Sequence, residues 1–317
     1  MKTTKKQTGR IQTPMFVSCF LFAANPIRRP DKNQYPRFGS LAVSALILKR
    51  FHANMYKNGR FTMPNIQQKL HISSIDYDCR SYAVKYGLGL EIAEFCWAQH
   101  IDKERERHIK NAACQIEGID NLWFHAPFAE LAPCAIDPRA RELARLRYRQ
   151  AIEIAQRLGI NRIVIHGGYI PLVYFPETYV EKSICFWREF LQIVPYDCTI
   201  ALENVMEPDP AMLVEIVSEI NDERLGLCLD VGHANCPTST LPPLEWISPM
   251  APYLKHMHIH NNSGRHDTHN CLDDGTIPIR EILDKTLELC PEATFTIENM
   301  YCERSLEWLH SQGFLEY

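Results

Sequence analysis

The residues best equipped for chemistry stand at the ends of short apolar runs. His125 closes LWFH, His166 closes RIVIH, Glu203 closes TIALE, Asp230 closes LGLCLD and Glu298 closes TFTIE. HMHIH sets His256, His258 and His260 at alternate positions. Side chains of a strand alternate between its faces. In RIVIH, Ile163 and Ile165 therefore share one face, and Val164 and His166 the other. TIALE divides in the same way, with Ile200 and Leu202 opposed to Thr199, Ala201 and Glu203. In each case a column of smaller side chains ends in a metal-competent group. Carboxylates brought together out of water repel one another, and burying them is costly unless a cation compensates. Imidazole and carboxylate together suit a hard or borderline divalent ion. His125, His166, Glu203, Asp230, His258 and Glu298 are the ligands this pattern predicts.

The elements that must bring these groups together are legible from Leu70 onward. LHISSID, GLEIAEF, NLWFHAP, RIVIHGG, TIALENV, LGLCLDVGHAN, LKHMHIHNN and ATFTIENM read as eight strands. Helix-like segments separate them. DPRARELARLRYRQAIEIAQRLG opens with Asp137 as N-cap and Pro138 in the first turn and closes on Gly159, which is the order of signals a helix requires. ETYVEKSICFWREFLQIV, DPAMLVEIVSEIN and IPIREILDKTLELC behave alike. Strict alternation implies a parallel sheet, and eight repeats imply closure into a (β/α)8 TIM barrel, an α/β fold of roughly 250 residues. The barrel is expected over residues 66–317. Residues 1–65 show neither period and are expected to form an irregular extension outside the core. The strand ends converge on the mouth where such barrels carry their active sites.

The 317 residues carry a formal net charge of −4, which disfavours a general electrostatic grip on nucleic acid. The 12 cysteines contain no CxxC pair. Cys228 and Cys236 only bracket a strand end and its loop, so the thiols read as small core residues of a reduced, cytoplasmic protein. No apolar run reaches the ~20 residues that span a bilayer. MFVSCFLFAA follows Lys2, Lys5, Lys6 and Arg10 as a signal peptide would. Thr13-Pro14 interrupts the approach, however, and no small-x-small cleavage site follows.

These motifs resemble the xylose isomerase-like barrel superfamily, which contains sugar and sugar-phosphate isomerases and epimerases as well as endonuclease IV-type abasic-site nucleases. HAP at His125, HGG at His166, ENV at Glu203, DVGHAN at Asp230, HIHNN at His258, RHDTH around Asp267 and TIEN at Glu298 carry the likeness from Leu70 to the C-terminus. For the epimerase branch, the resemblance implies a single manganese- or magnesium-like ion on Glu203, Asp230, His258 and Glu298. Glu203 and Glu298 would double as catalytic acid and base, with His233, Arg265 and Glu91 contacting substrate. For the nuclease branch it implies three zinc ions. His125, His166 and Glu203 would hold the first, and Glu203 would bridge to a second shared with Asp230, His258 and Glu298. His233, Asp267 and His269 would hold the third.

Two departures weigh against DNA cleavage: Asp230-Val231-Gly232-His233 replaces D-[ST]-C-H, and HIHNN is followed by a short SGRH in place of a basic, Ser-rich stretch. The expected activity is therefore divalent-metal-dependent isomerisation or epimerisation of a small sugar, sugar phosphate or keto-sugar by enediolate proton transfer. One to three Mn, Mg or Zn ions are expected. The alternatives are a multi-zinc phosphodiesterase acting on abasic DNA and a noncatalytic metal-binding barrel. The expected partner is a small carbohydrate, without a membrane, and self-association into a homo-oligomer is compatible with this reading. Phe128 is expected at the barrel rim, and KERERHIK on a solvated helix face. His71, His100, His108 and His310 are expected to be structural. His256 and His260 are expected to orient His258.

Overall fold

The computed structural model describes residues 65–316; the expected N-terminal extension lies, but for residue 65, outside the described residues. Eight parallel strands close in chain order: β1 (Leu70–Ser73), β2 (Gly89–Ile92), β3 (Leu122–His125), β4 (Arg162–His166), β5 (Thr199–Glu203), β6 (Leu225–Asp230), β7 (Leu254–Ile259) and β8 (Thr294–Ile297). β1 pairs with both β2 and β8, which completes the barrel. Helices connect the strands: α1 (Cys79–Tyr86), α2 (Ala98–Asp102), α3 (Arg105–Ile116), α4 (Pro138–Arg157), α5 (Pro176–Phe190), α6 (Ala211–Ile220), α7 (Pro243–Met250), α8 (Ile279–Leu289) and α9 (Glu303–Ser311). The expected (β/α)8 barrel is the observed fold.

Local chemistry explains the boundaries. The Asp137 carboxylate accepts the Arg139 N–H at 2.8 Å ahead of α4, satisfying a donor that has no partner within the helix. Gly159, at φ 72°, reverses the chain beyond the end of α4 at a conformation costly for other residues.

The alternation of faces is also observed. Ile163, Ile165, Ile200, Leu202, Leu227, Leu229, Phe295 and Ile297 join the apolar layer between barrel and helices, each contributing about 1.5–3 kcal/mol on full burial. Inside the barrel, Trp123, Val164, Ala201 and Cys228 form a separate small cluster. Trp123 departs from the expectation that the inward set is small. Its indole donates to Thr294 Oγ1 at 3.0 Å and stacks on His256 at 4.2 Å, with Ala201 and Cys228 small enough to leave it room.

Candidate metal centre

All six predicted strand-end groups project into the mouth. Adjacent strands set His166 beside Glu203 and Asp230 beside His258 in register. Glu203 lies at the centre. Its Oε2 is 3.2 Å from His125 Nε2 and 3.3 Å from His166 Nε2, and its Oε1 is 3.3 Å from His258 Nδ1. His258 Nδ1 also faces Asp230 Oδ2 at 3.7 Å and Glu298 Oε2 at 3.5 Å. Further out, Asp267 Oδ2 lies 3.2 Å from His233 Nε2 and 2.8 Å from His269 Nε2. The structure thus brings the nine sequence-predicted ligands into three adjoining groups. Donor atoms of His125, His166 and Glu203, and of Glu203, Asp230 and His258, lie within 4.8 Å of one another.

The orientation of the imidazoles bears on whether these residues fit a metal. A ligating histidine presents one nitrogen to the ion and donates the other N–H to a protein acceptor. His125 Nδ1 meets the Ala126 carbonyl at 2.9 Å, His233 Nδ1 meets the Asn204 carbonyl at 2.8 Å and His269 Nδ1 meets the Glu298 carbonyl at 2.9 Å. His258 reverses the choice, placing Nε2 3.1 Å from Glu91 Oε1. Donation from those nitrogens turns the remaining lone pair of each ring toward a carboxylate of the cluster. Asp267 Oδ1 is buried without a hydrogen-bond partner, a cost that a cation removes. Donor chemistry, ring orientation and orphaned oxygen all fit divalent ions.

Electrostatics follow from the same crowding. Burial alone would push the Glu203 carboxyl up, but His166 and His258 beside it hold it well below the usual range. Burial opposes the charging of His258 and His233. Cys228, Glu91 and Glu298 raise His258, and Asp230 and Asp267 raise His233, each well above an ordinary imidazole. Burial likewise opposes His269, which Asp267 nevertheless raises to about 10.

Several roles differ from expectation. Glu91, expected to touch substrate, is wholly buried; Oε2 accepts from His256 Nε2 at 3.0 Å and Thr296 Oγ1 at 2.6 Å, so it orients imidazoles from beneath. His260, expected to orient His258, instead lies with Nε2 3.1 Å from Asp230 Oδ2. His256 shares Glu91 with His258 and packs edge-on against its ring at 5.4 Å. Phe128 stacks on His166 at 4.4 Å and stands edge-on to His125 at 5.8 Å. Arg265 is exposed on the loop between β7 and α8 that also carries Asp267. His100 and His108 stack on each other at 3.9 Å. Cys96, expected with the other thiols to be a small core residue, places Sγ 3.2 Å from His125 Nδ1; nothing in EIAEFC marks that contact.

Comparison with known proteins agrees with this architecture. The chain is 32% identical over 184 residues to the uncharacterized protein MJ1311 of Methanocaldococcus jannaschii, covering 55% of this chain and 63% of that protein. It is 27% identical over 119 residues to a probable endonuclease 4 of Mycobacterium leprae, covering 36% of this chain and 45% of that one. The chain therefore spans less than two thirds of the length of these curated relatives. Among solved structures, a D-tagatose 3-epimerase-like protein superposes with a TM-score of 0.65 at 26% identity, covering 77% of this chain and 96% of that chain. The TTHB071 protein of Thermus thermophilus, solved after soaking with ZnCl2, has the same fold at 24% identity and a TM-score of 0.62, covering 77% of this chain and 97% of that one. The sequence pattern of the xylose isomerase-like TIM barrel family matches residues 82–311, and the chain belongs to that family.

Proposed function

We propose that this protein is a divalent-metal-dependent isomerase or epimerase of a small carbohydrate. The observation that carries this reading is the pairing of two carboxylates, Glu203 and Glu298, around the single His258 nitrogen at 3.3 and 3.5 Å. Glu203, Asp230, His258 and Glu298 would hold the ion, which when bound supplies Lewis acidity toward a carbonyl oxygen. Glu298 is the more accessible of the two glutamates, with its side chain 12% exposed against 1% for Glu203. It is the group that removes the proton alpha to the carbonyl. Glu203, kept ionised by its imidazole neighbours, or water beside it returns a proton. Arg265, exposed on the loop between β7 and α8, contacts substrate hydroxyls.

The composition of the mouth supports a small ligand over a nucleic acid. Among the described strand-to-helix connections, Arg265 is the one Arg or Lys residue, against Asp76, Asp78, Glu94, Glu130, Asp137, Glu207, Asp209, Asp267, Asp273, Asp274 and Glu298 on the acidic side. A phosphate backbone is held by clustered cations, which this rim lacks. The structural likeness to the D-tagatose 3-epimerase-like protein supports the same reading. Incubating the manganese-loaded protein with a panel of ketoses in deuterated buffer should place deuterium on carbon. Absence of incorporation with manganese, magnesium and zinc alike would overturn the proposal.

A second reading, multi-zinc phosphodiester hydrolysis, is favoured by one observation: Asp267 joins His233 and His269 as a third group, which a one-ion epimerase does not need. Three tightly held zinc ions, together with cleavage of an abasic-site oligonucleotide without added magnesium, would establish it. One ion per chain and no cleavage would remove it.

A further inference from the structure

His260 repeats the orientation of the ligand histidines at a place where no ligand is assigned. The side chain is wholly buried. Its Nε2 lies 3.2 and 3.1 Å from the two Asp230 oxygens, acceptors that require an N–H there. The ring's other nitrogen, Nδ1, makes no hydrogen bond. Nδ1 lies 3.7 Å from Asp267 Oδ1, a separation too long for a hydrogen bond. Both atoms are buried and neither has a hydrogen-bond partner. Two polar atoms left unpaired in a dry pocket each forgo their solvation. The His269 ring stacks on His260 at 4.0 Å and 9° between planes, and donor atoms of His260, His269 and Glu298 fall within 4.8 Å of one another.

We propose that His260 is itself a metal ligand, its Nδ1 joining Asp267, His233 and His269 around an outer divalent cation. This assignment rests on the reading of the mouth as a metal centre and adds to it a donor at the outer position. His260 then links the two positions, with Nε2 orienting the inner ligand Asp230 and Nδ1 meeting the outer ion. Gly232 makes the arrangement sterically possible, because a Cβ there would stand 1.9 Å from His260 Cε1.

The test is a zinc titration of the full chain, with bound zinc counted after equilibrium dialysis, on the native protein, His260→Gln and Asp267→Asn. In the native protein an outer ion binds after the inner position fills. His260→Gln weakens that outer ion at least tenfold, in the range for loss of an orienting or ligating partner, and Asp267→Asn abolishes it. Histidine-labelled nitrogen NMR on the native protein provides a readout independent of how the variants fold: His260 Nδ1 should shift in step with the outer equivalent. An outer ion bound equally well by His260→Gln, an unmoved Nδ1 resonance, or an inner position that fills with no outer ion would each overturn the assignment. A native protein that binds no zinc at all would instead overturn the metal-centre reading itself.

Discussion

Replacing Glu91 by Gln should weaken metal binding without unfolding the barrel. Glu91 is wholly buried and accepts three hydrogen bonds, from His258 Nε2 at 3.1 Å, His256 Nε2 at 3.0 Å and Thr296 Oγ1 at 2.6 Å. Burial would raise its carboxyl, but His258 and then His256 hold it well below the usual range. Gln keeps the volume and removes the charge. It also leaves one amide NH2 among groups that donate. Turned toward His258, that NH2 opposes the Nε2–H and drives the proton onto Nδ1, the atom facing the carboxylates. Hydrogen bonds to a charged group contribute about 1.5–3 kcal/mol, and 1.4 kcal/mol is about tenfold in affinity. The dissociation constant for manganese or zinc should therefore rise about 10- to 100-fold, the range known for partners of ligand histidines. Calorimetric titration at pH 8, with circular dichroism confirming the fold, measures this directly. A dissociation constant within twofold of the native value, in a folded variant, would refute the claim that Glu91 positions His258.

Other outcomes follow from the same geometry. Histidines raised in the folded state stabilise it fully below their unfolded value and lose that contribution as pH rises through the folded one. With His269 at about 10 against an ordinary 6.5, the metal-free protein should lose stability between those values, while metal affinity rises across the same window; flat profiles in both would contradict this. Saturating metal at a hundredfold excess over Kd should add about 2.7 kcal/mol and raise Tm by several degrees, reversibly with chelator. Gly232→Ala should displace His260, whose Cε1 would meet the new Cβ at 1.9 Å. Overpacking of this kind costs about 1–3 kcal/mol, visible as a lower chelated-state midpoint together with weaker metal binding.

The barrel was legible because its strands carry their period openly: RIVIH and TIALE assign inward and outward residues by alternation alone, and the register confirms it. The convergence of the strand-end groups on Glu203 was legible for the same reason, since a polar group ending an inward column has one place to go. Partnerships across the barrel were not. Glu91 stands three strands from His256 and His258 around the closed sheet, and no local pattern reveals which imidazole a buried carboxylate meets. The two nitrogens of His260 divide between Asp230 and Asp267, a choice that depends on ring rotation. Asp267 lies in the aperiodic SGRHDTH stretch, where the chain path, including His269 at φ 48°, decides what it reaches. Trp123 defied the small-inside expectation because the room for it comes from residues on other strands.

A crystal structure of the protein grown with zinc, with anomalous scattering collected at the zinc edge, tests the central account most directly. An anomalous peak should stand among Glu203, Asp230, His258 and Glu298, at about 2.0–2.2 Å from oxygen and nitrogen ligands. No peak inside that ring, with Glu203 still directly paired to His125 and His166, would contradict it.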